Sequence, residues 1–74
     1  MIRELEMIAL ARDIPEFGLK AGDIGCVVLI HGGGSGFEVE FATITGDTLA
    51  VITLPPDALR PVKGNEIPHA RAVA

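Results

Sequence analysis

The sequence feature that most constrains the fold is the run DIPEFGLKAGDIGCVV at residues 13–28. A short apolar segment ends at Asp13, and Pro15 and three glycines then bend the chain without a helical pattern. A second, strongly apolar segment starts at Cys26. This layout is typical of a small β-barrel whose first two strands are joined by a long, diverging turn.

The length of the chain limits how its core can be stabilised. Its 74 residues make one domain, and a domain of this size buries only roughly 60% of its unfolded surface. Cys26 is the only cysteine, and His31 and His69 are far apart, so neither a disulfide nor a structural zinc site is expected. Apolar residues make up 49% of the chain. This surplus predicts an apolar surface that a subunit interface covers, and hence a homo-oligomer.

Five short apolar segments are predicted to form strands. The third, FEVEF, alternates strictly, so Phe37, Val39 and Phe41 are expected to face the core, while Glu38 and Glu40 face water or a partner. The TIT sequence that follows is expected to extend this strand. The predicted strands are residues 7–11, 26–30, 37–41, 49–54 and 60–62.

The connections complete an SH3-like pattern. Residues 20–23 are predicted to form a tight turn with Gly22 at positive φ, and residues 56–59 a single helical turn whose Leu59 plugs the barrel. The predicted fold is therefore all-β, a small five-stranded SH3-like barrel over residues 1–62. The alternative, an OB-type barrel, needs a longer helix between strands three and four. Residues 63–74 lack periodicity and are predicted to form a flexible tail.

The fourth strand, LAVITL, is apolar on both faces. Ala50, Ile52 and Leu54 are interpreted as its outer face and, with the acidic pair Glu38 and Glu40, as the interface with a partner. Replacing Ile52 with glutamate is therefore predicted to leave a folded but smaller species.

Three motifs invite a catalytic interpretation. The loop HGGGSG at residues 31–36 lacks the lysine and helix of a phosphate-binding loop, and Ser35 lacks the second glycine of an esterase elbow. His31 has no partner at a spacing that would activate it, and Cys26 is expected to be a buried, inert thiol. We expect no catalytic, cofactor-binding or metal-binding residue, and a protein that is not an enzyme.

Charge and hydropathy limit the classes of partner and the cellular compartment that we expect. The net charge is −4, and the six basic residues are scattered, which disfavours nucleic-acid binding. The first six residues are too charged for a signal peptide, and no apolar run approaches the ~20 residues that span a bilayer. Together with the lone cysteine, this predicts a cytoplasmic protein that does not enter membranes.

Several stretches between residues 6 and 62 share the pattern of a known family. They are residues 9–10, 12–16, 18–25, 37–41, 49–54 and 59–60, of which the run at 15–25 is the specific part. On these residues the chain resembles a family of very small bacterial proteins known as domain of unknown function 4926. The resemblance implies an SH3-type barrel without known catalytic residues. Its members often neighbour genes that resemble small toxins, which implies an antitoxin-like or other partner-binding role.

Three functional hypotheses follow. The first is a non-catalytic protein-interaction module that binds itself or the product of a neighbouring gene. The second is a nucleic-acid or ribosome-associated barrel, which would need basic loops and exposed aromatic residues. The third is an accessory subunit of an enzyme, since a barrel of this size is filled by its own side chains and has no room for a substrate. Mass by light scattering, and a shift of labelled RNA, discriminate among them.

Overall fold

The computed structural model describes residues 2–73, and its regular structure is five strands and two short 3-10 turns. FEVEF forms the most regular of the strands predicted from the sequence, because its alternation places all of its apolar side chains on one face. The elements in chain order are β1 (Met7–Leu10), a 3-10 turn (Pro15–Phe17), β2 (Ile24–His31), β3 (Gly36–Ala42), β4 (Thr48–Leu54), a second 3-10 turn (Pro56–Ala58) and β5 (Leu59–Pro61).

The strands form a single antiparallel sheet in the order β4-β3-β2-β1-β5. Sequential strands pair as a meander, and β5 returns to lie beside β1. This confirms the predicted all-β, five-stranded SH3-like architecture. The sheet is not closed, because the strands at its two ends, β4 and β5, do not pair within residues 2–73.

The core lies on one face of this curled sheet and draws on all five strands. Val27, Val39 and Phe41 are buried at its centre, as the alternation of FEVEF predicts. Ala58 and Leu59 are buried at the end of the second 3-10 turn, which confirms the predicted plug. Gly25 is buried where β2 crosses Val39 and Phe41, and its missing side chain leaves room for them.

The long connection between β1 and β2 ends in the predicted tight turn. Lys20 accepts a backbone hydrogen bond from Asp23 at 2.9 Å, and Gly22 has a φ of 92°. Two further backbone bonds join Leu10 to Gly22 and to Asp23, at 2.8 and 2.9 Å. These bonds fasten the turn to β1.

The predicted outer face of β4 is wrong. Ile52 and Leu54 are 7% and 4% exposed and belong to the core, and Ala50 is half-buried and packs against it. Ile52 lies opposite Val39 in the β3–β4 ladder, and residues directly opposite each other share a face of the sheet. Because side chains alternate along a strand, Leu49 and Val51 are the residues that face outward, 44% and 52% exposed.

Two other details of the strands differ from the prediction. β3 ends at Ala42, because Thr43 accepts a backbone bond from Gly46 and closes a turn in place of extending the strand. β2 contains a bulge between Val27 and Leu29, which shifts its register against β3. The shift leaves Val28 and Leu29 both exposed within the apolar run at residues 26–30.

Residues 63–73, called the C-terminal segment below, contain no strand or helix, as expected. They lie against the sheet, however, and do not extend away from it. Arg60 forms an ion pair with Glu66, and Arg71 forms one with Asp23 in the turn before β2. The segment, for which a flexible tail was predicted, therefore contacts the rest of the domain through two ion pairs.

Candidate protein-binding surface

The glycine-rich hairpin between β2 and β3 carries a side-chain pair that the sequence analysis missed. The Nε2 atom of His31 lies 2.8 Å from Oε2 of Glu38, so the expectation that His31 has no partner is wrong. The hydroxyl of Ser35 donates to the carbonyl of His31 at 3.1 Å. Both side chains therefore serve to fix the hairpin, as expected of a structural loop.

The outer face of the sheet, the face opposite the core, carries a row of side chains that runs across four strands. The pairing places Met7 beside Cys26, Cys26 beside Glu40, and Glu40 beside Val51. Three of the four are apolar or weakly polar, and Met7 and Val51 are exposed. Cys26 is half-buried on this outer face and not in the core, which corrects its predicted burial.

Both predicted acidic residues of β3 face outward, as expected. Glu38 is paired with His31, and Glu40 accepts a hydrogen bond from the hydroxyl of Thr48 at 2.5 Å. The carboxylate of Glu38 is therefore held against β2, and that of Glu40 against the start of β4, on the other side of β3. Of the predicted interface residues, only these two lie on the outer face.

A groove of about 780 Å³ lies between this outer face and the C-terminal segment. Cys26, Glu40 and Leu49 line it on the side of the sheet, and residues 68–73 line it on the other side. Most of the surface that it exposes is apolar. It connects the start of β4 with the turn that contains Asp23.

At that turn, Arg71 binds Asp23 through both ends of the carboxylate. Its Nε donates to Oδ1 at 2.8 Å, and its Nη2 donates to Oδ2 and to the carbonyl of Gly18, the latter at 3.0 Å. The guanidinium of Arg71, and then the backbone N–H of Lys20, hold the pKa of Asp23 below its ordinary value, against the opposing effect of burial. This is the fork geometry in which arginine recognises a carboxylate best.

A second ion pair fixes the start of the C-terminal segment. Both terminal nitrogens of Arg60 donate to Glu66, at 2.9 and 2.7 Å, and Glu66 also accepts the backbone N–H of Lys63 at 2.6 Å. These contacts, first that with Arg60, lower the pKa of Glu66 to about 2. This pair lies at the surface, where ion pairs contribute little to stability.

Acid is expected to detach the C-terminal segment before it unfolds the barrel. A carboxylate with a lowered folded-state pKa stabilises the structure above its unfolded value, and this contribution is lost as the pH falls through the folded value. For Asp23 and Glu66 the loss begins below their ordinary values of 3.8 and 4.5. NMR resonances of the Arg71 side chain, the partner of Asp23, should therefore shift as the pH falls below 3.8, and those of the Arg60 side chain, the partner of Glu66, between about pH 4.5 and 2. Unchanged resonances over that range, with the barrel intact, would contradict the ion pairs.

Neither ion pair of the C-terminal segment could be found from the sequence. Arg71 and Asp23 are 48 positions apart, and no periodicity marks the segment as part of the fold. The His31–Glu38 pair could have been found by counting across the hairpin, because His31 lies opposite Gly36 and Glu38 is the diagonal neighbour two residues further along β3.

No group of three or more His, Cys, Asp or Glu residues within residues 2–73 is placed to hold a metal ion. No helix in that range has the length and apolar character to cross a bilayer.

The fold and this surface define a class of protein: a small, open, antiparallel SH3-like sheet with an apolar outer face bordered by carboxylates. The chain belongs to the family described as Domain of unknown function (DUF4926), whose model matches residues 4–61. The match ends with β5, so the C-terminal segment lies outside it. Comparison with curated proteins and comparison with solved structures gave no match.

Proposed function

We propose that this chain is a non-catalytic protein-interaction module whose partner docks on β4. The observation that carries the proposal is the outer edge of this strand. Within the described part of the chain β4 is hydrogen-bonded to β3 alone, so its other side presents free backbone groups over seven residues. A strand edge of this kind is a template for pairing with another chain.

The opposite edge of the sheet shows how an edge is protected. β5 is only three residues long, and it contains Arg60 and Pro61, which both discourage pairing. β4, TLAVITL, has neither a charged residue nor a proline. Since edges are commonly blunted by charge or proline, the difference between the two supports β4 as the side that a partner covers.

The side chains around β4 indicate which residue types a partner segment would carry. Leu49 and Val51 offer apolar contacts on the outer face, and Glu40 lies directly beside Val51. A strand added to β4 would lie about 10 Å from β3, which is two strand spacings. A long basic side chain on that added strand could extend over Val51 and reach the carboxylate of Glu40. We therefore infer an extended segment with alternating apolar and basic residues, which suits a chain of net charge −4.

The candidate for this partner is the product of a neighbouring toxin-like gene, in an antitoxin-like pairing. The family resemblance supports this choice, and the single cysteine fits a cytoplasmic pair. A second copy of the chain is the competing occupant. Nucleic acid is disfavoured because carboxylates border the docking surface.

The test is mass by light scattering on a sizing column, for the chain alone and with the neighbouring gene product. Val51→Lys places a charge on the docking surface, and Phe17→Lys adds the same charge at an exposed apolar residue of the first 3-10 turn. We expect a stable complex that Val51→Lys weakens by at least roughly tenfold and that Phe17→Lys leaves unchanged.

The other outcomes contradict parts of the proposal. A complex that survives Val51→Lys would place the surface elsewhere. A self-dimer that Val51→Lys breaks, with no binding of the neighbour, would assign the edge of β4 to a second copy. A monomer that binds nothing would overturn the proposal as a whole.

A further inference from the structure

We propose that the turn before β2 is an arginine-recognition site, formed by Asp23 and the carbonyl of Gly18. Arg71 fills it within the chain, and an arginine in an extended segment of the partner protein fills it in the complex. The inference rests on the proposed function, because it names a second chemical feature of the same partner.

The contacts that hold the site in shape do not involve Arg71. The N–H of Lys20 donates to Oδ2 of Asp23 at 2.8 Å, and two backbone bonds join the turn to Leu10. The Gly18 carbonyl belongs to the end of the first 3-10 turn, where the N–H of Gly18 itself donates to Pro15 at 3.1 Å. All of these contacts lie between residues 10 and 23, so the acceptors are preorganised for a guanidinium.

The bound arginine shows what the site accepts. Arg71 donates three hydrogen bonds to two acceptor groups, and the side chains of Asp23 and Arg71 are 19% and 26% exposed. The planar fork of arginine matches this arrangement, whereas lysine has only a point charge to offer. A second carboxylate, Asp13, accepts the N–H of Ala21 at 2.9 Å on the same turn and adds negative charge to it.

Few side-chain contacts hold the C-terminal segment that carries Arg71 in place. The C-terminal segment forms no backbone ladder with the sheet, and its side-chain hydrogen bonds to residues 2–62 come from Glu66 and Arg71. The turn lies within residues 4–61, the range that defines the family, whereas Arg71 lies outside it. The recognition site therefore belongs to the domain, and its occupant comes from a separate segment.

The site also lies on the path of the partner. The groove beneath the C-terminal segment runs from Asp23 to Leu49 at the start of β4. A partner that pairs with β4 and continues along the groove reaches the turn, where its arginine replaces Arg71. Displacement of the C-terminal segment then uncovers Cys26, which lines the same groove.

The test uses the full chain and a defined probe, a fluorescent peptide with the sequence of residues 66–73. We expect this peptide to bind the Arg71→Ala chain at least roughly tenfold more tightly than the wild-type chain, whose site is already filled. The peptide that itself carries Arg71→Ala should lose at least roughly tenfold in affinity. Adding Asp23→Asn to the Arg71→Ala chain should also lower its affinity for the unchanged peptide. Asparagine keeps an oxygen that accepts the N–H of Lys20, so the turn is preserved.

Cys26 provides an independent readout, because it is the only thiol in the chain. Arg71→Ala should raise its rate of reaction with a maleimide, and the peptide should restore protection. Peptide binding that is equal in the wild-type and Arg71→Ala chains, or that is indifferent to Asp23→Asn, would overturn the arginine site. A complex with the neighbouring gene product that forms although the peptide does not bind would leave the proposed function standing without this site.

Discussion

Replacing Ile52 with glutamate is expected to unfold the protein. Ile52 is in the core, opposite Val39 in the β3–β4 ladder. A carboxylate in this position would lose its hydration without gaining a partner, which costs several kcal/mol even after the structure relaxes. A domain of fewer than about 80 residues rarely has more than 3–5 kcal/mol of stability from its core. Far-UV circular dichroism should therefore show a chain without its native sheet at 25 °C.

Val51→Glu is the matched control, since it places the same charge one residue away on the outer face. Its carboxylate lies beside Glu40, and two like charges opposite each other cost up to about 1 kcal/mol. The chain should remain folded, with dispersed NMR resonances. A folded Ile52→Glu variant would show that Ile52 faces outward, as the sequence alone had suggested.

Gly25→Ala is expected to be the most damaging substitution of a glycine in the sheet. A Cβ atom at this position would lie 2.6 Å from Cγ1 of Val39, 2.8 Å from Cε1 of Phe41 and 3.0 Å from the carbonyl oxygen of Glu40. Val39 has a stiff, β-branched side chain, Phe41 is buried, and the carbonyl belongs to a paired strand, so none of the three can move freely. We expect a loss of about 2–3 kcal/mol in the free energy of unfolding.

Gly64→Ala is the control for the loss of a glycine, because nothing lies within 4 Å of a Cβ atom at that position. Its free energy of unfolding should stay within about 0.5 kcal/mol of the wild-type value. Urea titrations of both variants, followed by circular dichroism, measure the difference directly. Equal midpoints for Gly25→Ala and the wild-type chain would contradict the close approach of β2 and β3.

The sequence predicted the buried face of a strand correctly where its pattern allows only one assignment of the two faces. FEVEF alternates strictly, so the inward positions of Phe37, Val39 and Phe41 followed directly, and they are buried. LAVITL is apolar on both faces, and a shift of one residue exchanges the faces completely. Only the register with β3, which pairs Val39 with Ile52, decides which set enters the core.

Most of the candidate surface depends on contacts between distant parts of the chain. Glu38 and Glu40 were predicted to face outward because their strand alternates. The arginine site was not predicted, because Asp23 and Arg71 belong to irregular segments, and such segments have no periodicity from which to infer a contact. The free edge of β4 also needed the structure, since the order of strands in a sheet is not encoded in any one of them.

The position of β5 beside β1 has a consequence for folding during synthesis. β2, β3 and β4 pair with strands that are close in sequence, whereas the outer side of β1 is completed only when β5 arrives. At about 5–20 residues per second, the ribosome needs roughly 2–10 s to make the chain between Leu10 and Leu59. Until β5 has paired with β1, the sheet has two unprotected edges, and afterwards only the edge of β4 lacks a charge or a proline to protect it.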